Sequence, residues 1–195
     1  ATPIKIGLPT VLSGAYAQYG IQAKRACELF GKEINAKGGV LGRPLEFIYE
    51  DTGGDPATAV RKAQKLVEKD GVKFLTATVL SSEALAVSAK CLMSTINGAG
   101  ALTAKSFNRY FFRINTSGPM GARAISLYLA DSPMKRFFAL GADFAWGRDS
   151  VGSFSEQMTA AKKEIVGKDY PPIGTKDFAS YIGKIRQSRA EGCYL

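Results

Sequence analysis

The stretch VLSGAYAQYG, residues 11–20, decides the fold because it joins a strand pattern to a helix pattern. The apolar run at residues 3–11 predicts a buried strand, and residues 19–37 predict a helix that ends at the glycine pair 38–39. This helix carries apolar residues at helical spacing: Ala23, Cys27, Phe30 and Ile34. A loop of small residues and tyrosines between them is either a turn that caps the helix or the floor of a ligand site.

The same alternation of strand and helix continues along the chain. Further strands are predicted at residues 43–51, 72–80, 94–97, 109–114, 136–142 and 193–195. Further helices are predicted at residues 53–71, 81–92, 119–130, 146–165 and 178–190. The expected helix caps are Asp55, Ser81 or Ser82, and Asp143. This order of elements predicts an α/β fold with mainly parallel sheets.

A domain boundary is predicted at residues 114–121, where a strand ends in a polar turn that contains glycine and proline. The predicted domains are an N-terminal ligand-binding lobe, residues 1–117, and a second lobe, residues 118–195. The chain stops within a predicted strand, and the connection after Cys91 is short for an α/β unit. We therefore expect the second lobe to be incomplete, either because the chain is a fragment or because internal residues are missing.

Composition argues against several classes of function. The chain has no histidine, which removes the usual general base, the Ser-His-Asp triad and most zinc sites. We expect no catalytic residue, no metal and no cofactor. The net charge of +9 comes without a nucleic-acid-binding motif, so we expect a solvated basic surface and no nucleic-acid partner. The densest basic groups are Lys24-Arg25, Lys135-Arg136 and Lys162-Lys163.

The three cysteines do not have metal-ligand spacing. Cys27 and Cys91 lie on apolar faces of predicted helices, where a free cysteine behaves as a small hydrophobic residue. A disulfide between these two cysteines needs an oxidising compartment and suitable geometry, and the sequence leaves it open. Cys193 lies in the last predicted strand.

Three loops follow predicted strand ends in the first lobe: residues 13–20, 81–84 and 97–101. Ligands of open parallel sheets bind beyond the carboxyl ends of the strands. Free N–H groups at helix starts suit a carboxylate, and the hydroxyls of Ser81 and Ser82 add donors. The alternatives are that the serines only cap a helix and that residues 97–101 form a turn that needs positive φ angles.

Aromatic residues also lie at predicted strand ends. Tyr16 and Tyr19 in the first loop can enclose an apolar ligand and bond its polar end, or they can serve only packing. Trp146, the only tryptophan, follows a second-lobe strand and has the same two interpretations.

The sequence pieces LSGAYAQYG, EINAKGGVLGRPLEFIYED, SSEALAV, NRYFFR and DFAWGRD, in this order, resemble the periplasmic substrate-binding proteins of branched-chain amino acid ABC transporters, the leucine/isoleucine/valine-binding family. The resemblance implies two Rossmann-like lobes that close on a ligand as a Venus flytrap. It implies that a small carboxylate-bearing ligand binds in the cleft between the lobes. The residues implied for the carboxylate are Ser81, Ala99, Gly100 and Ala101, and those implied for the aromatic walls are Tyr19 and Trp146.

The resemblance also implies a setting for the protein. The expected partner is an inner-membrane ABC permease, the expected location is periplasmic after removal of a signal peptide, and the expected state is a monomer. Two features depart from the family pattern: Ala101 replaces a usual threonine, and Trp146 replaces a frequent tyrosine. A ligand-sensing regulator or receptor domain of the same fold remains an alternative. A nucleotide-dependent α/β enzyme is a further alternative, although neither phosphate-binding glycine motif is present.

Overall fold

The computed structural model describes residues 1–90 and 92–195 and divides into two compact units. Unit 1 comprises residues 1–97 and 102–115, and unit 2 comprises residues 98–101 and 116–195. The short segment 98–101 therefore packs with unit 2, although the residues on both sides of it belong to unit 1. The predicted lobes 1–117 and 118–195 stay a prediction.

Unit 1 is built on a five-stranded sheet in the order β2-β1-β3-β4-β5, in which each described pair of neighbouring strands is parallel. Its elements are β1 (Ile4–Thr10), α1 (Ala17–Ala36), β2 (Leu45–Asp51), α2 (Pro56–Glu68), β3 (Phe74–Thr76), α3 (Ser81–Val87), β4 (Leu92–Ser94) and β5 (Phe111–Arg113). A 3₁₀ helix, Gly100–Thr103, lies between β4 and β5 in the chain. The predicted α/β fold with parallel sheets is confirmed.

Unit 2 has a three-stranded parallel sheet in the order β7-β6-β8. Its elements are α4 (Gly118–Ala130), β6 (Arg136–Leu140), α5 (Ala145–Ala160), β7 (Glu164–Asp169), α6 (Ala179–Gln187) and β8 (Gly192–Tyr194). The core joins the sheet to α4 and α5 through Ala122, Phe137, Ala139, Val151, Phe154 and Met158. Phe154 stacks on Tyr194 and meets Phe137 edge to face, so that burial of these apolar rings stabilises the layer.

Helix α2 forms as the sequence predicts. Asp55 is its N-cap, and a carboxylate oxygen of this residue accepts a hydrogen bond of 2.7 Å from the Thr58 N–H. Pro56 occupies the first position, where a missing N–H costs nothing. Gly71 adopts a φ of 71° after the helix, which permits the chain to turn toward β3.

Other predicted elements are wrong in part. Residues 146–165 are not one helix, because α5 ends at Ala160, Lys162 has a φ of 60°, and β7 follows. The predicted strand 94–97 lies earlier, as β4, and α3 ends at Val87, so that the connection between them is of ordinary length. Phe30, predicted on the apolar face of α1, is 62% exposed.

Lys163 is not part of the solvated basic surface. Its side chain is buried, and Nζ donates hydrogen bonds to the carbonyls of Ser132, at 2.7 Å, and Met134, at 3.0 Å. A buried ammonium group needs such acceptors to offset its lost hydration. Lys163 therefore fixes the turn that precedes β6.

Cys27 and Cys193 are free thiols. Cys91 lies outside the described residues, and the predicted alternative of a Cys27–Cys91 disulfide therefore does too. Within the described part of the chain, none of the helices combines the length and the apolar character that a membrane crossing requires.

Glu83 is a fully buried carboxyl group near the strand ends of unit 1. It lies on α3 and makes a 2.5 Å hydrogen bond with the Thr52 hydroxyl, while its other oxygen accepts from the Leu80 N–H at 3.0 Å. Burial raises the pKa of Glu83, and the bonds from Thr52 and from backbone N–H groups oppose this shift. The carboxyl group thereby ties the loop after β2 to the start of α3.

The raised pKa of Glu83 gives stability a pH dependence with a definite sign. The stabilising contribution of the buried Glu83 carboxyl group is complete below the pKa of the unfolded state, about 4.3. This contribution is lost as the pH rises through the folded-state pKa. Glu83→Gln imitates the protonated form, since its oxygen can accept from Leu80 while its NH2 donates to Thr52. We expect this variant to gain stability relative to the unmodified protein as the pH rises from 4 to 8.

Urea denaturation at several pH values measures this difference. The control is Glu46→Gln, which removes a carboxylate from an exposed position of β2 and should leave the pH profile unchanged. If Glu83→Gln and the unmodified protein keep a constant stability difference across this range, burial of Glu83 does not control the profile.

Candidate functional site

The end of the loop after β1 and the first turn of α1 bring two tyrosines together in unit 1: Tyr16 precedes the helix, and Tyr19 lies within it. The rings of Tyr16 and Tyr19 have centroids 6.3 Å apart and planes tilted by 35°. Tyr19 is 48% exposed. The pKa of Tyr16 is raised, chiefly by burial and to a smaller extent by the nearby hydroxyl of Tyr19. Tyr16 is also the N-cap residue of α1 and makes no capping bond with its side chain. The loop meets the start of the helix through its backbone, since the Tyr16 carbonyl accepts from the Tyr19 N–H at 3.1 Å.

Gly20 allows this loop to fold tightly on α1. A Cβ at Gly20 would lie 1.9 Å from the carbonyl oxygen of Val11, which is a collision with the backbone. The loop is also held by Asp51 at the end of β2, whose Oδ1 accepts from the Leu12 N–H at 2.9 Å. Position 20 therefore requires glycine because of close approach to the end of β1.

The loop after β3 leads into α3, and neither serine caps this helix. The N-cap is Leu80, whose N–H donates to Glu83, while Ser81 and Ser82 are the first helical residues. Ser81 is buried, and Ser82 is partly buried. The expected cap at Ser81 or Ser82 is wrong: the N-cap lies one residue earlier, at Leu80, whose N–H donates to the carboxylate of Glu83 in the first turn of the helix.

Asn97 is an anchor that sequence reasoning missed. This residue is buried after β4; Oδ1 accepts from the hydroxyls of Thr78, at 2.8 Å, and Ser94, at 3.0 Å. Its Nδ2 donates to the Val79 carbonyl at 3.1 Å. An asparagine before a glycine is typical of an exposed turn, whereas here the side chain fixes the chain just before residue 98.

Segment 98–101 packs closely in unit 2. Gly98 and Gly100 do not have positive φ angles, so the alternative of a positive-φ turn is wrong. Instead, a Cβ at Gly98 would lie 2.2 Å from Trp146 Cδ1, and one at Gly100 would lie 2.7 Å from Pro119 Cγ. Ala99 between them is fully buried. The glycines are needed because rings pack directly on their backbone.

Trp146 lies in the first turn of α5. Its indole packs against the backbone at Gly98 and Gly118, yet the residue stays 43% exposed. The Phe144 ring stacks near it, with centroids 5.9 Å apart and planes within 28°. Trp146 therefore has a partly exposed indole whose position is fixed by its packing against the backbone at Gly98 and Gly118.

Asp143 does not cap α5 as predicted. The N-cap is Phe144, and Asp143 pairs instead with Arg148, whose Nη2 lies 2.6 Å from Oδ1. The guanidinium of Arg148 also lies over the Tyr170 ring, 4.5 Å from its centroid. This cluster fixes the loop after β6.

The backbone N–H groups implied for a ligand carboxylate have a partner within unit 2. Asp149 Oδ2 accepts from Gly100 N at 2.9 Å and from Ala101 N at 3.4 Å. Asp149 lies on α5, more than 45 residues away in sequence, and no local pattern connects it to this segment. It is the second residue of this region that sequence reasoning missed.

The predicted site residues divide between the units. Unit 1 holds Tyr16, Tyr19, Ser81 and Ser82; unit 2 holds Ala99, Gly100, Ala101 and Trp146. The structure brings together the two tyrosines in unit 1 and, separately, segment 98–101 and Trp146 in unit 2. Across the described residues, no group of three or more Cys, Asp or Glu side chains is arranged to hold a metal ion.

Solved structures place this fold among solute-binding proteins. An ABC transporter substrate-binding protein from Sphaerobacter thermophilus matches with a TM-score of 0.83 and 30% identity, covering 98% of this chain and 54% of that one. A solute-binding protein of an ABC transporter from Rhodopseudomonas palustris BisB5, in complex with 3,4-dihydroxybenzoic acid, matches with a TM-score of 0.87 and 24% identity. That match covers 98% of this chain and 53% of the other, and at this identity it supports the fold alone.

The sequence comparison identifies the family. Residues 3–195 match the family model described as periplasmic binding protein, and the chain belongs to this family. It is 26% identical to the Leu/Ile/Val-binding protein of Citrobacter freundii, over 100% of this chain and 54% of the relative. It is 27% identical to the Leu/Ile/Val-binding protein BraC3 of Rhizobium johnstonii, over 98% of this chain and 54% of that relative. The chain thus spans about half the length of these relatives, and the resemblance stated from the sequence is confirmed.

The close approach of Gly98 to Trp146 predicts the effect of one added methyl group. Gly98→Ala should displace the indole, shift the tryptophan emission maximum and lower the free energy of unfolding by about 1–3 kcal/mol, because the packed site has no room. Gly152→Ala on α5 is the control, since a Cβ there meets open space. Fluorescence is specific because Trp146 is the only tryptophan. An unchanged spectrum and stability in Gly98→Ala would contradict this packing.

Proposed function

We propose that the protein is the extracytoplasmic solute-binding component of an ABC importer and that it binds a small molecule with a carboxylate group. The observation that carries the proposal is the family match over residues 3–195. Relatives that align with essentially the whole chain are named Leu/Ile/Val-binding proteins, and those ligands are carboxylates. The natural setting proposed is the periplasm, with an inner-membrane permease as the partner that receives the ligand.

The local geometry of each unit is suited to binding rather than to covalent chemistry. In unit 1, the Tyr16–Tyr19 pair offers aromatic surface, and Ser81 offers a hydroxyl at the start of α3. In unit 2, Trp146 offers a second aromatic surface next to segment 98–101. Aromatic side chains contribute large apolar contact with a ligand, while a few fixed donors orient its polar end. The ligand is bound and released unchanged.

Identification of the ligand is the direct test. The full-length natural protein is purified without denaturation, and ligand carried through purification is identified by mass spectrometry. Isothermal titration calorimetry then measures binding of leucine, isoleucine, valine, benzoate and 4-hydroxybenzoate. The aromatic acids are included because solved structures with the same fold hold benzoate and 4-hydroxybenzoate.

The proposal predicts that at least one small carboxylate binds and changes the fluorescence of Trp146. Retention of a compound without a carboxylate would contradict the proposed ligand class. Failure of all amino acids and organic acids to bind would contradict the proposed function.

The proposed role of Ser81 gives a second prediction. Ser81→Ala should weaken carboxylate binding by about 1–2 kcal/mol, the scale of one hydrogen bond to a charged group. Calorimetry with the identified ligand measures this change. Ser88→Ala is a matched control, because Ser88 caps the other end of α3 and its hydroxyl donates to the Leu85 carbonyl. Equal affinity in Ser81→Ala and the unmodified protein would remove Ser81 from the site.

A further inference from the structure

Asn97 and Gly98 form the one Asn-Gly pair of the sequence. Asparagine is a thermolabile residue, and it is most reactive before glycine, because glycine has no side chain to keep its backbone nitrogen away from the neighbouring amide carbon. The pair lies where the chain passes from unit 1 to unit 2. A chemical change here therefore alters the main chain at the boundary of the two units.

The reaction open to such a pair is deamidation through a cyclic imide. The Gly98 nitrogen loses its proton to a solvent base and attacks Cγ of Asn97. An N–C bond forms, the Cγ–Nδ2 bond breaks, and ammonia leaves. Water then hydrolyses one of the two imide bonds and gives aspartate, or isoaspartate if the chain continues through the former side chain. Cyclisation requires that the Asn97 amide rotate until Cγ meets the Gly98 nitrogen.

Hydrogen bonds hold the Asn97 side chain in place. Oδ1 accepts from the hydroxyls of Thr78, at 2.8 Å, and Ser94, at 3.0 Å. Nδ2 donates to the Val79 carbonyl at 3.1 Å, and the residue is 1% exposed. Rotation of the amide would break these bonds and leave buried polar groups without partners, which is costly.

The main chain on both sides of the bond is held as well. The Asn97 carbonyl accepts from Asn115 Nδ2 at 3.1 Å, and the Gly98 carbonyl accepts from the Gly118 N–H at 2.8 Å. The Trp146 indole packs on the Gly98 backbone so closely that a Cβ there would lie 2.2 Å from Cδ1. These contacts oppose the movement of the main chain that ring closure needs.

We propose that the Asn97–Gly98 bond is a deamidation site that the folded chain keeps closed and that opens when the contacts of Asn97 are lost. The rate in the folded protein is then the rate in the unfolded chain multiplied by the fraction of molecules in which this region is open. Aspartate at position 97 presents an oxygen, in place of Nδ2, to the Val79 carbonyl, and two acceptors repel each other. Deamidation thereby makes opening of this region irreversible.

Peptide mapping by mass spectrometry tests the proposal in the full-length natural protein, incubated at mildly alkaline pH with and without urea. We expect aspartate and isoaspartate to form at residue 97 about a hundredfold more slowly in the folded protein than in urea, because packed regions open rarely. Asn35 is the internal reference for slow reaction, since the following residue, Ala36, carries a Cβ. Equal rates at residue 97 with and without urea, or no reaction in urea, would overturn the proposal.

Thr78→Val tests the contacts of Asn97 directly. It keeps the shape of the side chain and removes one hydrogen bond to Oδ1, so the rate in the folded protein should rise about tenfold while the rate in urea stays the same. Thr76→Val is the matched control on β3, because it removes the bond from the Thr76 hydroxyl to the Met93 carbonyl, which does not involve Asn97. No acceleration in Thr78→Val, or equal acceleration in both variants, would overturn closure by these contacts.

Irreversibility has its own measurement. Samples are held in urea for increasing times and refolded, and the fraction that regains the original urea midpoint should fall in step with deamidation at residue 97. Asn97→Asp should have a lower midpoint than the unmodified protein. Asn108→Asp is the control, because its bond from the Tyr110 N–H, at 3.0 Å, needs only an oxygen. Full recovery of the midpoint by deamidated protein would show that the change is tolerated and would overturn this part of the proposal.

Discussion

Parallel pairing of the strands is the constraint on which the rest of the structure depends. Parallel neighbours need a crossover connection, which is usually a helix, so that the chain must alternate between strand and helix. The carboxyl ends of strands within one sheet then meet at one edge. In unit 1, Tyr19 and Ser81 lie at the starts of helices that follow β1 and β3, and Asn97 lies in the loop after β4, so all three follow strand ends of the same five-stranded sheet. The sheet therefore gathers residues that are far apart in sequence.

Close backbone packing shapes the loops that follow the strands. Gly20 lies against the Val11 carbonyl, and Gly98 lies against the Trp146 indole, at distances that a Cβ would make impossible. In both places glycine is required because another group packs against its backbone, and not because the residue adopts a positive φ angle. The absence of a side chain lets an aromatic residue be held from one side while another part of it stays exposed, as with Trp146. Such fixed aromatic surfaces suit the binding of small molecules.

Carboxylates, two of them from elements distant in sequence, accept hydrogen bonds from the backbone of these loops. Glu83 accepts a hydrogen bond from the Leu80 N–H, and Asp51 accepts one from the Leu12 N–H. Asp149 accepts hydrogen bonds from the N–H groups of Gly100 and Ala101. A buried N–H without an acceptor costs as much as a lost hydrogen bond, so these side chains define the loop conformations. The conformation of segment 98–101 therefore depends on a hydrogen bond to Asp149 on α5.

The sequence by itself determined the parallel α/β fold, the cap of α2 at Asp55 and the family resemblance, because strand and helix periodicity and turn residues are local signals. Only the tertiary structure decided that Leu80 and Phe144 precede their helices, that β7 follows α5 and that Asp149 occupies the donors of Gly100 and Ala101. The bonds of Asp149 join residues 48 and 49 positions apart, and β7 forms by pairing with β6. The start of α3 depends on a nearer residue, Glu83, but that carboxyl group is itself buried against Thr52. Hydrogen-bond acceptors and burial are supplied by the folded chain, and a single stretch of sequence does not carry that information.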